Sequence, residues 1–280
     1  MTATPAMLWI VATPIGNLED VAARAARVLS EVAVIAAEDT RHSARLSEHL
    51  AIGTPMLSLH EHNEAERVPQ LIGRLQAGEA VALISDAGTP LISDPGFALV
   101  RAARAEGIEV RCVPGACAAV AALSVAGLPS DRFVFEGFLP ARAAGRRARL
   151  AELADETRTL LFYESSHRIA AAVADIAATL GEQRPVTLCR ELTKLHEQSV
   201  QLPAEALGQW LAVDANRRRG EFVLVVGGAA VVERHAVEVT LDALLTELLA
   251  VTGTKSAAGA AARLLGVSRN AAYARALELQ

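Results

Sequence analysis

Cysteine is scarce in this chain. Cys112, Cys117 and Cys189 make an odd number without CxxC spacing, which argues against both a disulfide framework and a zinc knuckle. Reduced thiols are expected, with Cys112 packed as a small hydrophobe. Long apolar runs are lacking too: none approaches the roughly 18 residues of a membrane span. The N-terminus has neither the basic flank nor the small-residue cleavage site of a secretory signal. A soluble, cytoplasmic protein with no membrane partner is the expectation. G-x-G-x-x-G and G-x-x-x-x-G-K-[ST] are absent, so neither a dinucleotide nor a P-loop triphosphate is indicated. The absence of G-x-S-x-G disfavours a serine hydrolase.

What is present is apolar and slightly acidic. With 280 residues, 52% of them hydrophobic, the chain is long enough for two domains with cores of their own. A formal charge of −5 argues weakly against a nucleic-acid partner. Local clustering complicates that reading, because arginines gather at Arg142, Arg146, Arg147 and Arg149 and again at Arg217, Arg218 and Arg219, while the lysines are Lys194 and Lys255. Each run is either a solvated surface or a phosphate-contacting patch.

Short apolar runs at residues 8–11, 32–37, 56–59, 81–84 and 108–113 have strand length. Helix-period segments at 18–29, 43–50, 65–75 and 97–105 separate them. This βαβα order predicts a largely parallel sheet. An alanine-rich segment over 116–126 ends at Pro129-Ser130-Asp131, where a domain boundary is expected. Strands at 133–138, 159–162, 186–189 and 222–226 follow, in a half either parallel or mixed. Beyond Gly227-Gly228 the pattern is helical, at 241–251, 256–265 and 269–279.

In open α/β sheets ligands bind outside the carboxyl ends of the strands. The loops there are ATPIGN (12–17), AEDTRHS (37–43), HEHNE (60–64), SDAGTPLISDPG (85–96) and VPGACAA (113–119). Gly88 lacks a Cβ and lets backbone approach a ligand. Asp94-Pro95-Gly96 reads as an N-cap with proline at the first helical position. Asp86 is either a ligand contact or an Asx-turn acceptor. His60 and His62 would share one strand face, without a third ligand at a diagnostic metal spacing.

The series ATPIGNLED, AEDTRHS, HEHNE, ISDAGTPLISDPG, VPGACA, GFLP, FYESSHRI, CRELTK and RGEFVLVV resembles the small-subunit ribosomal RNA cytidine 2′-O-methyltransferase branch of the tetrapyrrole-methylase superfamily. The order and spacing of these segments cover the chain from Leu8 to about Gly228. The tail resembles the small helix-turn-helix extension of that branch. It has two readings, RNA contact or packing of a helical appendage.

The resemblance implies a two-domain α/β fold, residues 1–127 and 128–230, with S-adenosylmethionine in the cleft between them and a helical extension over 231–280. It implies cofactor contacts at Pro14, Ala87, Gly88, Thr89, Ile92, Cys117, Ala118, Glu164 and Leu192. It further implies 16S rRNA within the 30S subunit as substrate, no metal, and a homodimer. Where the family usually shows Pro-Ser, this chain has Ala116-Cys117, which puts a side-chain hydroxyl contact at 117 in doubt. A ribose hydroxyl needs a proton acceptor, and Glu164, His167, Glu191 and Lys194 are the candidates, Glu164 being preferred. Glu38, Asp39 and Arg41 are read as ordering the substrate side. Two competing functions are a tetrapyrrole-precursor C-methyltransferase, whose family favours a Gly-Gly-Asp-Pro-like loop where this chain has SDAGTP, and an inactive RNA-binding assembly factor.

Overall fold

The computed structural model describes residues 6–230 and 239–279. The chain forms two compact units that divide after Ala230.

In the first unit, strands β1 (Leu8–Val11), β2 (Val34–Ala37), β3 (Met56–Ser58), β4 (Val81–Ile84) and β5 (Val110–Val113) make a parallel sheet of order β3-β2-β4-β1-β5. Helices α1 (Ala23–Glu31), α2 (Thr40–His49), α3 (Glu64–Gln76) and α4 (Phe97–Ala105) connect them. Every residue of β2 and β4 is buried, because helices cover both faces of a parallel sheet and successive side chains point to opposite faces. Val81 and Leu83 thus pack with Leu71 and Leu99, whereas Ala82 and Ile84 pack with Val28 and Leu29.

Strand β2 starts two residues later than its apolar run suggests, since Val32 closes α1 by donating its N–H to Val28 O at 3.1 Å. Ile108 does the same for α4, bonding to Ala103 O at 2.9 Å before β5 begins. Cys112 is exposed, contrary to expectation. The reason is that β5 is a sheet edge, burying little besides Val113.

The second sheet settles the open question of the latter half as mixed. Strands β6 (Phe133–Phe138), β7 (Thr159–Ser165), β8 (Pro185–Arg190), β9 (Gln198–Pro203) and β10 (Glu221–Val226) follow the order β6-β7-β10-β8-β9. Only the β6–β7 pairing is parallel. Helices α6 (Ala143–Glu152), α7 (Ile169–Leu180) and α8 (Ala204–Val213) cover one face. The other face, Leu161, Cys189, Val223 and Val225, packs against α5 (Ala118–Val125), the helix that leaves the first sheet. That helix therefore ties the two sheets together.

The second unit holds α9 (Leu241–Val251), α10 (Thr254–Leu265) and α11 (Arg269–Glu278). Leu245 packs on Ala257, Ala258, Ala261, Ala272 and Ala276. Ser268 is the N-cap of α11, its Oγ accepting from Ala271 N at 3.1 Å. Of the extension expected over 231–280, residues 231–238 and 280 lie outside the described residues. Among the described residues no helix is long and apolar enough to cross a membrane.

Candidate active site

Strands β1 and β4 are neighbours, yet the chain leaves them toward opposite edges of the sheet, from β1 to β2 and from β4 to β5. Such a switch point opens a crevice between the two departing loops. Reciprocal backbone bonds fix it: Thr13 N donates to Gly88 O at 2.9 Å and Gly88 N to Thr13 O at 3.1 Å. Thr89 Oγ1 adds a bond to Ala116 O at 2.9 Å, joining the loop after β5. Gly88 has φ 85°, and a Cβ there would lie 3.1 Å from Ile15 Cγ2, so glycine serves both backbone conformation and approach. Leu91 and Ser93 are also left-handed, at φ 74° and 66°.

Asp94 does not cap α4. That helix begins at Phe97 with Gly96 as N-cap at φ 116° and no side-chain cap bond. Glu64 Oε1 accepts from Gly96 N at 2.9 Å instead, which leaves the Asp94 carboxyl on the crevice.

The facing wall comes from the second sheet. Tyr163, Glu164 and Ser165 end β7, Cys189 lies near the end of β8, Leu192 follows it, and Gly220 to Val223 lead into β10. The loop after β8 is wound left-handed at Glu191 and Thr193, φ 50° and 67°. Together the walls enclose a cavity of about 430 Å³, the size of a small-molecule site.

Ala87, Gly88, Thr89, Ile92, Cys117, Ala118, Glu164 and Leu192 all line that cavity. Pro14, His167, Glu191 and Lys194 are not among its lining residues. His167 is exposed. Lys194 Nζ sits 3.0 Å from Glu191 Oε1 and 2.9 Å from Glu221 Oε2. Burial opposes charge on both Glu191 and Lys194, but the Glu221 N–H and Lys194 hold Glu191 below its ordinary value, and Glu221 and Glu191 hold Lys194 above its own. Both are committed to anchoring the loop.

Sequence reasoning left Ile15, Asp94, Phe138, Tyr163 and Gly220 to Val223 out of the site, and all of them line it. The aromatic pair within GFLP and FYESS was the available signal. Tyr163 is packed edge-on by Phe135 and Phe138, with centroids 5.0 and 5.6 Å away. Its hydroxyl oxygen accepts from Ala119 N at 3.1 Å, and burial raises its pKa, keeping it a neutral phenol.

The cavity is rich in carboxyls. Burial raises Glu38, with Asp86 adding repulsion against a partly opposing hydrogen bond from the Asp86 N–H. Burial pushes Asp94 up to about 6; a Ser85 hydrogen bond opposes this, and the charges of Glu38 and Asp86 add to it. Glu164 is 3% exposed. Its Oε1 accepts from Ser165 N at 2.8 Å and lies 3.2 Å from Arg168 Nε, while Oε2 is buried without a hydrogen-bond partner. Small residues, accessible backbone and clustered carboxyls suit a ligand with an extended apolar or planar body and a positive centre.

Two other sequence features resolve differently. His60 and His62 stand on a turn rather than a strand, and among the described residues no group of three or more potential ligands could hold a metal. Three arginines of the first run enter ion pairs: Arg146 is buried 2.6 Å from Asp175, which Arg147 also approaches, and Arg149 binds Glu136 and Glu152, while Arg142 is exposed.

A family model for tetrapyrrole (corrin/porphyrin) methylases matches residues 7–208. The chain belongs to that family. A second model, the RsmI C-terminal HTH domain, matches residues 235–280 of this tetrapyrrole methylase. It is 54% identical to a protein of Pseudomonas aeruginosa named ribosomal RNA small subunit methyltransferase I, over 98% of this chain and 97% of the relative. Its fold is similar to that of the methyltransferase CobJ, with TM-score 0.60 and 20% identity over 80% of this chain and 95% of that one. It is also similar to uroporphyrin-III C-methyl transferase from Thermus thermophilus complexed with S-adenyl homocysteine, with TM-score 0.55 and 19% identity over 79% and 97% of the two chains.

Proposed function

We propose that this protein is an S-adenosylmethionine-dependent methyltransferase that modifies the ribose 2′-oxygen of a cytidine in the decoding region of 16S rRNA, on the assembled 30S subunit. The observation that carries the reading is the cavity between the two sheets, which combines small-residue loops with a carboxyl-rich wall. The name borne by a near-full-length relative supports ribosomal RNA as the acceptor. The reading takes residues 1–127 and 128–230 as the gripping lobes and 231–280 as an extension, in a cytoplasmic homodimer.

The residues present fit the donor. Ala87, Gly88, Thr89, Cys117 and Ala118 leave backbone groups within reach of an adenosine, and Ile15, Ile92 and Leu192 offer apolar surface to its rings. Glu38, Asp86 and Asp94 complement a cation. When bound, S-adenosylmethionine supplies an electrophilic methyl group on a sulfonium. The protein's share is alignment and exclusion of water, and Glu164 takes the proton of the ribose hydroxyl on Oε2, the oxygen left without a partner. Arg168 and the Ser165 N–H hold the other oxygen in place.

Labelled donor offered to undermethylated 30S subunits, naked 16S rRNA and a porphyrinogen tests the reading. Label on a decoding-region cytidine of the 30S subunit is expected. Label on the porphyrinogen alone would make this a tetrapyrrole enzyme, and donor binding without transfer to any acceptor would make it an inactive assembly factor.

A further inference from the structure

The cavity rejects one part of an RNA substrate. Glu38, Asp86, Asp94 and Glu164 line it, so a phosphodiester brought inside would meet like charge. An RNA strand must then leave its phosphates outside while one sugar reaches in. Cations are needed at the mouth, and they must not already be neutralised.

Arginines that meet this condition sit where the second wall ends. Cys189, Gly220 and Glu221 line the cavity, and their chain neighbours are Arg190 and Arg219. Arg190 Nε donates to Arg219 O at 2.5 Å and Nη1 to His196 O at 3.4 Å. These acceptors are neutral carbonyls, so Arg190 joins two loops, its charge felt by the neighbouring Glu191 carboxylate rather than spent in a direct ion pair. Arg217 lies 4.3 Å above the Trp210 ring and donates to Trp210 O. Arg218 and Arg219 are exposed, and among the described residues neither side chain pairs with a carboxylate. The contrast with Arg146, Arg149 and Arg158, each on a carboxylate at 2.6 to 2.8 Å, is plain.

We propose that Arg218 and Arg219, steadied by Arg190, form a phosphate-docking rim that holds the RNA backbone at the mouth of the cavity. This rests on the RNA-methylating reading and deepens it. Guanidinium groups match phosphate oxygens in a two-pronged geometry, and exposed ones keep that capacity at little desolvation cost. A chain of net charge −5 thereby binds a polyanion through local rather than overall charge.

The test uses the full chain, saturating S-adenosylmethionine and undermethylated 30S subunits across a salt series. In the R218A/R219A double variant, KM for the subunit should rise about tenfold at physiological salt, with kcat within twofold and donor affinity and thermal midpoint unchanged. The slope of log affinity against log salt should flatten by about 1.4, two single-strand phosphate contacts at about 0.7 each. The R218K/R219K variant should keep most of the slope, and R147A, in the ion-paired run, all of it. Unchanged KM and slope in R218A/R219A, while the wild type methylates, overturn the rim alone. A wild type that neither binds nor methylates the subunit overturns the rim together with the reading beneath it.

Discussion

Cys117 stands at the N-cap of α5 without a side-chain bond to the first turn. Tyr163, from the facing sheet, accepts from Ala119 N instead. Removing that hydroxyl in Tyr163→Phe orphans an N–H and should cost about 1 kcal/mol in urea denaturation. Cys117→Ser restores a side-chain acceptor at the cap and should offset most of that loss in the double variant. No recovery would mean that the phenol acts in some other way. Asp94 makes a second prediction. Its folded-state pKa is raised to about 6 from 3.8, so between those values the folded protein holds a proton that the unfolded chain has released. The stability contributed by this group is therefore greatest below about pH 4 and falls as pH rises through 6. Thermal melts of Asp94→Asn should lie above wild type at pH 7, by a few degrees at roughly 2–4 °C per kcal/mol, and converge with it near pH 4. Affinity for a cationic donor should move oppositely, rising from pH 5 to 7 in wild type and by less in the variant.

At the scale of elements, strain collects in the loops that build the cavity. Leu91, Ser93, Glu191 and Thr193 are left-handed without being glycine, a conformation held by surrounding contacts at a cost of about 1–3 kcal/mol each. Gly220 has φ 100°, and a Cβ on it would lie 2.6 Å from Glu191 Cδ. Gly220→Ala should therefore destabilise the protein by about 1–3 kcal/mol in chemical denaturation and weaken donor binding by displacing the loop after β8; wild-type values for both would refute the packing argument. Much of this was legible in the chain. The run through Gly88 and Pro90 announced a tight, ligand-approaching turn, and the periodicities located most helices and strands. Asp94-Pro95-Gly96 misled because the local capping rule competed with a contact from Glu64, about thirty residues away and invisible to local pattern. Strand β9 escaped notice because it is a sheet edge whose Gln198, Ser199 and Gln201 are polar, leaving only Val200 and Leu202 to mark it. The partner of Glu191 and Lys194, Glu221, lies far along the chain, so their ion network was invisible to local pattern.

At the scale of the molecule, one helix unites the walls. Helix α5 departs from the parallel sheet and buries Ala119, Ala122 and Leu123, with Ile15, against Leu161, Val223 and Val225 of the mixed sheet, so apolar packing joins the two walls of the cleft. Charge is divided along the same cleft, with carboxyls inside and unpaired guanidiniums at the mouth. The central claim is that this cleft holds the methyl donor, and calorimetric titration of the folded chain with S-adenosylmethionine tests it most directly. The account predicts saturable heat at one site per chain, lost in Gly88→Val, whose side chain would press on Ile15 at a left-handed position. An absence of heat from folded wild-type protein, or equal binding by Gly88→Val, would contradict it.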